Sequence, residues 1–404
     1  MDVMPRGYDT ALRLMDKGVS IPNPLSLDIG PEVDPERVSG REVVIYPGCR
    51  ICGATTVLSA GVRLGAEGPV TLDGCRLGPQ VELKAGYFKK SVFLEKANMG
   101  LGAQVREGTL LEEEANGAHC VGLKQTILFP FVTLGSLINF CDCLMAGGTS
   151  RKDHSEVGSS YVHFNFTPDG NKTTASLFGD VPRGVLLNQP PIFLGGQGGA
   201  VGPVRVGYGT VVAAGSVLRD DVRADGHFVI SAAHPGTERP FTPQAYKSLA
   251  RVVGHNLLYL ANLVALEQWY RQIRRPFFEA QELGLLVYEG ALEILNAAVV
   301  ERTKRLVAMV EKVSPDDGLR RELKDHVAEV CVLFRERHSV REVEAPDLLR
   351  ESMAAGADAG YVAAVQGLPP EAAGAAVVWL QGIVDDMCAR AGALLPSLGD
   401  LVPS

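Results

Sequence analysis

The chain has 404 residues, too many for one small domain, so two or three units are expected. Its content of 46% hydrophobic, 21% charged and 6% aromatic residues excludes a largely disordered chain. The net charge of −8 supplies no basic field for a nucleic-acid backbone or an anionic membrane, so neither is expected as a partner.

The opening stretch, MDVMPRGYDTALRLMD, lacks the apolar segment of a secretory signal. No apolar run is read as reaching the roughly 18 residues of a membrane span. Eight cysteines are too few for a disulfide scaffold, and a reduced, cytoplasmic setting is expected. Residues 1–41, with Pro22, Pro24 and Pro31, are expected to cap the domain that starts at residue 42.

From residue 42 to 231 the rhythm changes. Leu194, Ala200, Val206, Val212 and Leu218 fall six residues apart, with small residues and glycines between them. Ile45, Ile51 and Val57 keep that step, as do Leu58 and Leu64, Leu77 and Leu83, and Leu128, Leu134 and Phe140. Six fits neither the 3.6 of a helix nor the 2.0 of a lone strand; it fits a hexapeptide-repeat solenoid of stacked short strands with small residues at each corner. The plainer alternative is chance spacing in a sandwich-like β domain. The register breaks around 66–76, 85–100 and 111–126, where loops or irregular coils are expected.

Residues 232–243, AAHPGTERPFTP, read as a linker, because their prolines and glycine interrupt regular structure. Glycine use changes across it: 34 of 45 glycines precede residue 241. Residues 244–404 read as helical. Thr242 and Pro243 form an N-cap and first-turn pair. Leu249, Val253, Leu257, Leu260 and Val264 then share one helix face. Tyr288, Leu292, Leu295, Val299, Leu306 and Val310 mark a second helix, and Ser314–Pro315–Asp316–Asp317 opens a third. Pro346–Ala355 and Glu371–Leu395 add two more. The expectation is a bundle of about five helices, packed on itself or on a partner subunit. No catalytic constellation stands out in it; His255, His326 and His338 are isolated.

The hexapeptides resemble the left-handed parallel β-helix family. Residues 153–222 are similar to the acetyltransferase half of the bifunctional UDP-N-acetylglucosamine pyrophosphorylase/glucosamine-1-phosphate acetyltransferase family. The residues that carry the likeness are His154 in DHSEVG, Phe164–Asn165–Phe166, Asp169 to Thr173, Gly179–Asp180–Val181, and the rungs from Val206 to Val222. The resemblance implies a left-handed coil, a homotrimer with sites between neighbouring prisms, and transfer of an acyl group from acyl coenzyme A to an amine or hydroxyl of a sugar phosphate or nucleotide sugar. No nucleotide-binding pyrophosphorylase half accompanies it.

By that resemblance His154 is the general base, a role suited to a group titrating near neutrality. Asp153 or Glu156 would orient it. Arg151, Lys152, Asn165 and Lys172 are the expected substrate-binding residues, and Ser159, Gly196 and Ala214 the expected coenzyme A contacts. The run Gly195 to Gly199 looks like a phosphate loop but lacks the lysine and following helix, so corner turns are the preferred reading. The family's upstream arginine and lysine have no counterparts at Phe129–Pro130 or Asp142–Cys143, Ser231 stands where it has an arginine, and His154 and Asn165 lie 11 residues apart, closer than in the family.

Two other readings compete. His119, His154 and His163 could hold zinc across a subunit boundary, as in β-helix carbonic anhydrases. The pairs Cys49/Cys52 and Cys141/Cys143 lack partner pairs and read as corner fillers. Alternatively, the chain binds a nucleotide sugar, or serves as a scaffold, without turnover.

Overall fold

The computed structural model describes residues 4–164, 172–173, 175–231, 236, 238, 240, 246, 248–337, 340 and 343–401. A short helix, α1 (Tyr8–Asp16), leads into a parallel β-solenoid of about eleven turns. The coil's first turn already runs through Ser20, Asp28–Ile29 and Val38, each paired with the turn above.

The coil has three faces. The first runs from Val44–Ile45 through Glu156–Val157 to Phe228–Val229. The second runs from Asp28–Ile29 to Val217–Leu218, and the third from Val57–Leu58 to Arg205–Val206. Strands Val121–Leu128 and Ile138–Met145 bend around the corner between second and third faces, joining them into one sheet. Each rung sends one side chain per face inward. On the first face the column is Ile45, Leu64, Leu83, Met99, Gly117, Leu134, Val157, Leu194, Val212. The five residues of the clearest six-residue step all lie inside, between 0 and 2% exposed. This dry column drives the fold, since each buried aliphatic residue contributes roughly 1.5–3 kcal/mol.

The segments expected to be irregular are regular rungs instead. Val70–Asp73, Gly86–Lys89, Ser91–Phe93, Asn98–Met99, Thr109–Leu111 and Asn116–Gly117 all pair in register with their neighbours. The pattern was hidden because Gly117, Phe88 and Met99 take inward slots and because the corners are not all small. Gln80, Lys96, Glu114 and Phe131 turn one corner at positive φ, and Cys120, Leu137, Ser160 and Gln197 turn another. Stacked corner hydrogen bonds hold them there, such as Leu137 N–H to the His119 carbonyl at 3.1 Å.

The described residues after the linker form helices α3 (Leu249–Trp269), α5 (Gly284–Val310), α6 (Gly318–Glu336), α7 (Asp347–Ala355) and α9 (Pro370–Leu394), matching the five expected. Two short ones, α4 (Arg275–Glu279) and α8 (Tyr361–Gln366), follow α3 and α7, and α2 (Val181–Gly184) sits inside the coil. Thr242 and Pro243 lie outside the described residues, as does most of the linker and His338. Asp317 caps α6 by accepting from Arg320 N–H at 2.8 Å.

The helical region packs against the third face of the coil. The outward residues there, Arg76, Val92, Leu110, Ile127, Leu144 and Leu177, are all buried. Arg76 donates both to the Leu286 carbonyl and to the Glu293 carboxylate at 2.7 Å. Arg274 reaches Glu112 and Glu113 at a coil corner, and Arg302 reaches Asp142. Burial of this seam pushes the Glu113 carboxyl up to about 7. Contrary to the expectation from sequence, α3 through α4 and α9 are long and apolar enough to cross a membrane; 83% of the first apolar window is buried inside the protein and 44% of the second. A helix apolar on all sides is what such burial requires.

Candidate functional site

His154 sits where the coil departs from its own regularity. After Met145 two glycines, Gly147 and Gly148, take φ of 103° and 97°. A β-carbon on Gly148 would lie 2.5 Å from His154 Cα, so only glycine fits. The chain then makes the lone antiparallel excursion among the described strands, Gly148–Ser150 against Asp153–His154. Ser150 Oγ closes the turn by accepting from Lys152 N–H and Asp153 N–H, both at 3.2 Å. Ser155 returns the chain to the coil; its Oγ donates to the Ala146 carbonyl and accepts from Ile192 N–H, each at 2.8 Å.

This geometry fixes the imidazole. Nδ1 lies 3.0 Å from the Arg151 carbonyl, which can only accept, so Nδ1 donates there and, in the neutral ring, Nε2 is the nitrogen with the lone pair. Nε2 is 3.9 Å from Glu156 Oε2, and the side chain is 19% exposed. Of the two acids expected to orient the ring, Glu156 is the one beside Nε2; Asp153 accepts from Thr149 Oγ1 at 2.8 Å. Arg151 extends back along the coil and donates to the Glu114 and Phe131 carbonyls and to Thr133 Oγ1, at 2.8 to 3.1 Å. Lys152 is exposed at the turn.

Ser159, Gly196 and Ala214 are stacked on successive turns at the corner between first and second faces. Gln197 N–H donates to the Ser159 carbonyl at 2.8 Å, and Gly215 N–H to the Gly196 carbonyl at 2.9 Å. The close stack requires small residues: a β-carbon on Gly195 would lie 2.3 Å from Ala214 N, and one on Gly196 2.7 Å from the Ser159 carbonyl oxygen. The glycine run 195–199 is therefore part of a corner, as expected. His154 and Ser159 flank the first-face strand Glu156–Val157 from opposite sides.

Lys172 is elsewhere. It lines a cavity of about 280 Å³ at the corner between second and third faces, with Arg106, Lys124 and Arg305. Asn165 lies outside the described residues.

The three histidines of the zinc alternative are not gathered. His119 is exposed at the first corner, with Nδ1 2.8 Å from Ser136 Oγ. His163 points inward, continuing the second-face column between Phe140 and Ala200. Its Nδ1 donates to the Cys141 carbonyl at 2.5 Å, and Nε2 accepts from Ser176 Oγ at 2.7 Å. Both nitrogens are thereby committed, and burial lowers its pKa to about 4. No group of three potential ligands forms among the described residues. Burial also raises the thiols of Cys49, Cys52 and Cys143 and pushes Cys141 up to about 12, which keeps them protonated. The sequence hid the inward place of His163 because a histidine looks polar and because 37 residues, not a multiple of six, separate it from its column neighbour Ala200.

No family model matches the chain. Among curated proteins it is similar to the Bifunctional protein GlmU of Thermotoga maritima, 27% identical over 213 residues, which is 52% of this chain and 41% of that protein. The Bifunctional protein GlmU of Fervidobacterium nodosum is 28% identical over 217 residues, 53% of this chain and 42% of the relative. That of Pelobacter propionicus is 29% identical over 220 residues, 54% and 42% respectively. The chain thus spans about two fifths of the length of the curated relatives it matches. The chain is thus a parallel β-solenoid that is similar to these relatives over about half of its own length.

Proposed function

We propose that the chain is an acyltransferase acting on a sugar phosphate or nucleotide sugar, with acyl coenzyme A as donor and His154 as general base, in a cytoplasmic homotrimer. The observation that carries this reading is His154 itself: a ring whose Nδ1 is held by the Arg151 carbonyl, on the hairpin that interrupts the coil. Nε2 takes the proton from the acceptor's amine or hydroxyl as the N–C or O–C bond to the thioester carbonyl forms. The C–S bond then breaks and the departing thiolate receives a proton. Glu156, 3.9 Å from Nε2, balances the imidazolium charge that appears in between.

The stacked corner of Ser159, Gly196 and Ala214 supports the donor half of the reading. Its two-turn span, about 10 Å at roughly 4.8 Å per turn, offers backbone groups to an extended chain. Because His154 and Ser159 lie at opposite corners of one face, a neighbouring copy must bring its corner to the hairpin. An outward apolar ladder on that first face, Phe193, Val211 and Phe228 at 38, 39 and 67% exposure, supports such packing.

The test is a thiol-release assay with acetyl coenzyme A and a panel of amino-sugar phosphates and nucleotide sugars. His154→Ala should lower turnover by about 10²–10⁴-fold while coenzyme A binding is unchanged. Undiminished turnover in that variant removes His154 from the chemistry.

One observation favours a second reading, binding without turnover. Arg151, one of the two cations in the hairpin turn, is spent on three coil acceptors. Asp142, one of the positions lacking the family's cation, is bound to Arg302. In that case the same panel yields affinity and no released thiol.

A further inference from the structure

The seam between the coil and α5 opens into a cleft that the acyl-transfer reading does not use. It encloses about 490 Å³ at the corner between second and third faces. The coil contributes Lys90, Ser91, Val92 and Gly108, and α5 contributes Ile294, Val300 and Lys304. The Lys172 cavity, about 280 Å³, adjoins it and shares Gln125 and Glu301 as lining. Both volumes suit a small molecule rather than a macromolecule.

The larger cleft is lined by three cations, Arg76, Lys90 and Lys304, and three carboxylates, Glu107, Glu293 and Glu301, and each of those carboxylates is already paired. The pairs are Arg76 with Glu293, Lys124 with Glu107 at 2.8 Å, and Arg305 with Glu301 at 2.7 Å. Lys90 and Lys304 have no carboxylate partner among the described residues, although they come from opposite walls of the same cleft. Lys90 is set at a corner with φ of 42°, so the coil's own geometry fixes its position. Both lysines are exposed, and two ammonium groups lining one cleft favour an anion between them. Beside them Val92, Ile294 and Val300 offer apolar wall, which a bare inorganic anion does not need.

We propose that the α5–coil cleft binds a soluble phosphate ester, its phosphate between Lys90 and Lys304 and its organic body against Val92, Ile294 and Val300. The site is independent of the His154 chemistry, since it lies at a different corner and is formed in part by the helical region.

The intact chain is titrated with trinitrophenyl-ATP, a phosphate ester with a planar, fluorescent body, and the bound probe is displaced with pyrophosphate. Wild-type protein should bind in the micromolar range and release the probe to pyrophosphate. Lys90→Glu and Lys304→Glu should each weaken binding by about tenfold or more, as loss of a charge-assisted contact predicts. Val300→Trp should weaken the probe by filling the apolar wall, while pyrophosphate binding measured by calorimetry persists. Arg13→Glu, an exposed change on α1, should leave all of this unchanged. No binding by wild type at about 1 mM probe, or Lys90→Glu and Lys304→Glu proteins that match Arg13→Glu, overturns the proposal. None of these outcomes involves acyl transfer, so the test stands whether or not the His154 reading fails.

Discussion

The two halves of the molecule are stabilised by different physics. The coil is local: each rung pairs only with its neighbours, and its core is a single-file column such as Ile45–Leu64–Leu83. The helical region is non-local. Helix α3 is buried on nearly every side, and buried ion pairs join this half to the coil at positions far away in sequence, such as Arg274 to Glu112 and Arg302 to Asp142. The lesson is one of division of labour. The uncovered corners and the first face keep polar groups within reach of solvent, and the candidate base sits there. The third face is given over to holding the helices.

Breaking the seam tests this division most severely. Arg274→Ala leaves Glu112 and Glu113 buried without their cation and should destabilise the protein by about 3–5 kcal/mol. Both tryptophans, Trp269 and Trp379, are in the helical half, so their fluorescence reports that half alone. Urea unfolding followed by fluorescence should shift more than the strand signal in circular dichroism. Because burial already raises the Glu113 carboxyl to about 7, the loss should shrink at pH 5, where that group is neutral, and grow at pH 8. Equal shifts in both signals would mean the two halves do not part at this seam.

His163 sharpens the comparison from inside the coil. Its folded pKa of about 4 lies below the usual 6.5, so the unfolded chain binds the proton more readily. The stability associated with the neutral ring is complete above pH 6.5 and lost as the pH falls towards 4, by about 3 kcal/mol over that range. His163→Gln should flatten that part of the stability profile; an unchanged slope between pH 6.5 and 4 would assign the acid sensitivity to other groups.

The smallest expected effect is at a corner. Leu137 is 58% exposed at φ of 60°, where an L-residue carries a cost of roughly 1 kcal/mol. Leu137→Gly should raise the unfolding free energy slightly, by about 1 kcal/mol or less once the added chain entropy of glycine is counted, and the melting temperature with it. A fall would show that the exposed leucine is held by a contact beyond this chain.

Much of this architecture was legible in the residues. The six-residue step found inward residues such as Leu77 and Leu83, Leu128 to Phe140 and Leu194 to Leu218 but missed Leu72, Leu111 and Leu123, and the 3.6 period found α3 and α5. The rungs around Phe88, Met99 and Gly117 escaped because backbone pairing with flanking turns, a non-local property, keeps them in register with unusual occupants. Corners made from Phe131, Cys120 or Leu137 carry no local turn signature. At the candidate site the histidine was visible; the role of the glycine pair at 147–148 was not, because it depends on the close approach of the returning strand. The partner of Arg151 was not, since it lies on two earlier rungs. Nor could the Lys90–Lys304 cleft be read, because 214 residues of sequence separate its walls.

The helical half touches the coil along almost its whole length, from Glu282 against Ser39 and Arg41 to His255 against Asp221. A bare stack of repeats can fray from either tip, one turn at a time. A brace fastened near both tips forbids that route, so opening a terminal turn means prising off the brace as well. The repeat thereby gives up its one-dimensional character, and the chain should melt in far fewer steps than its number of turns would suggest.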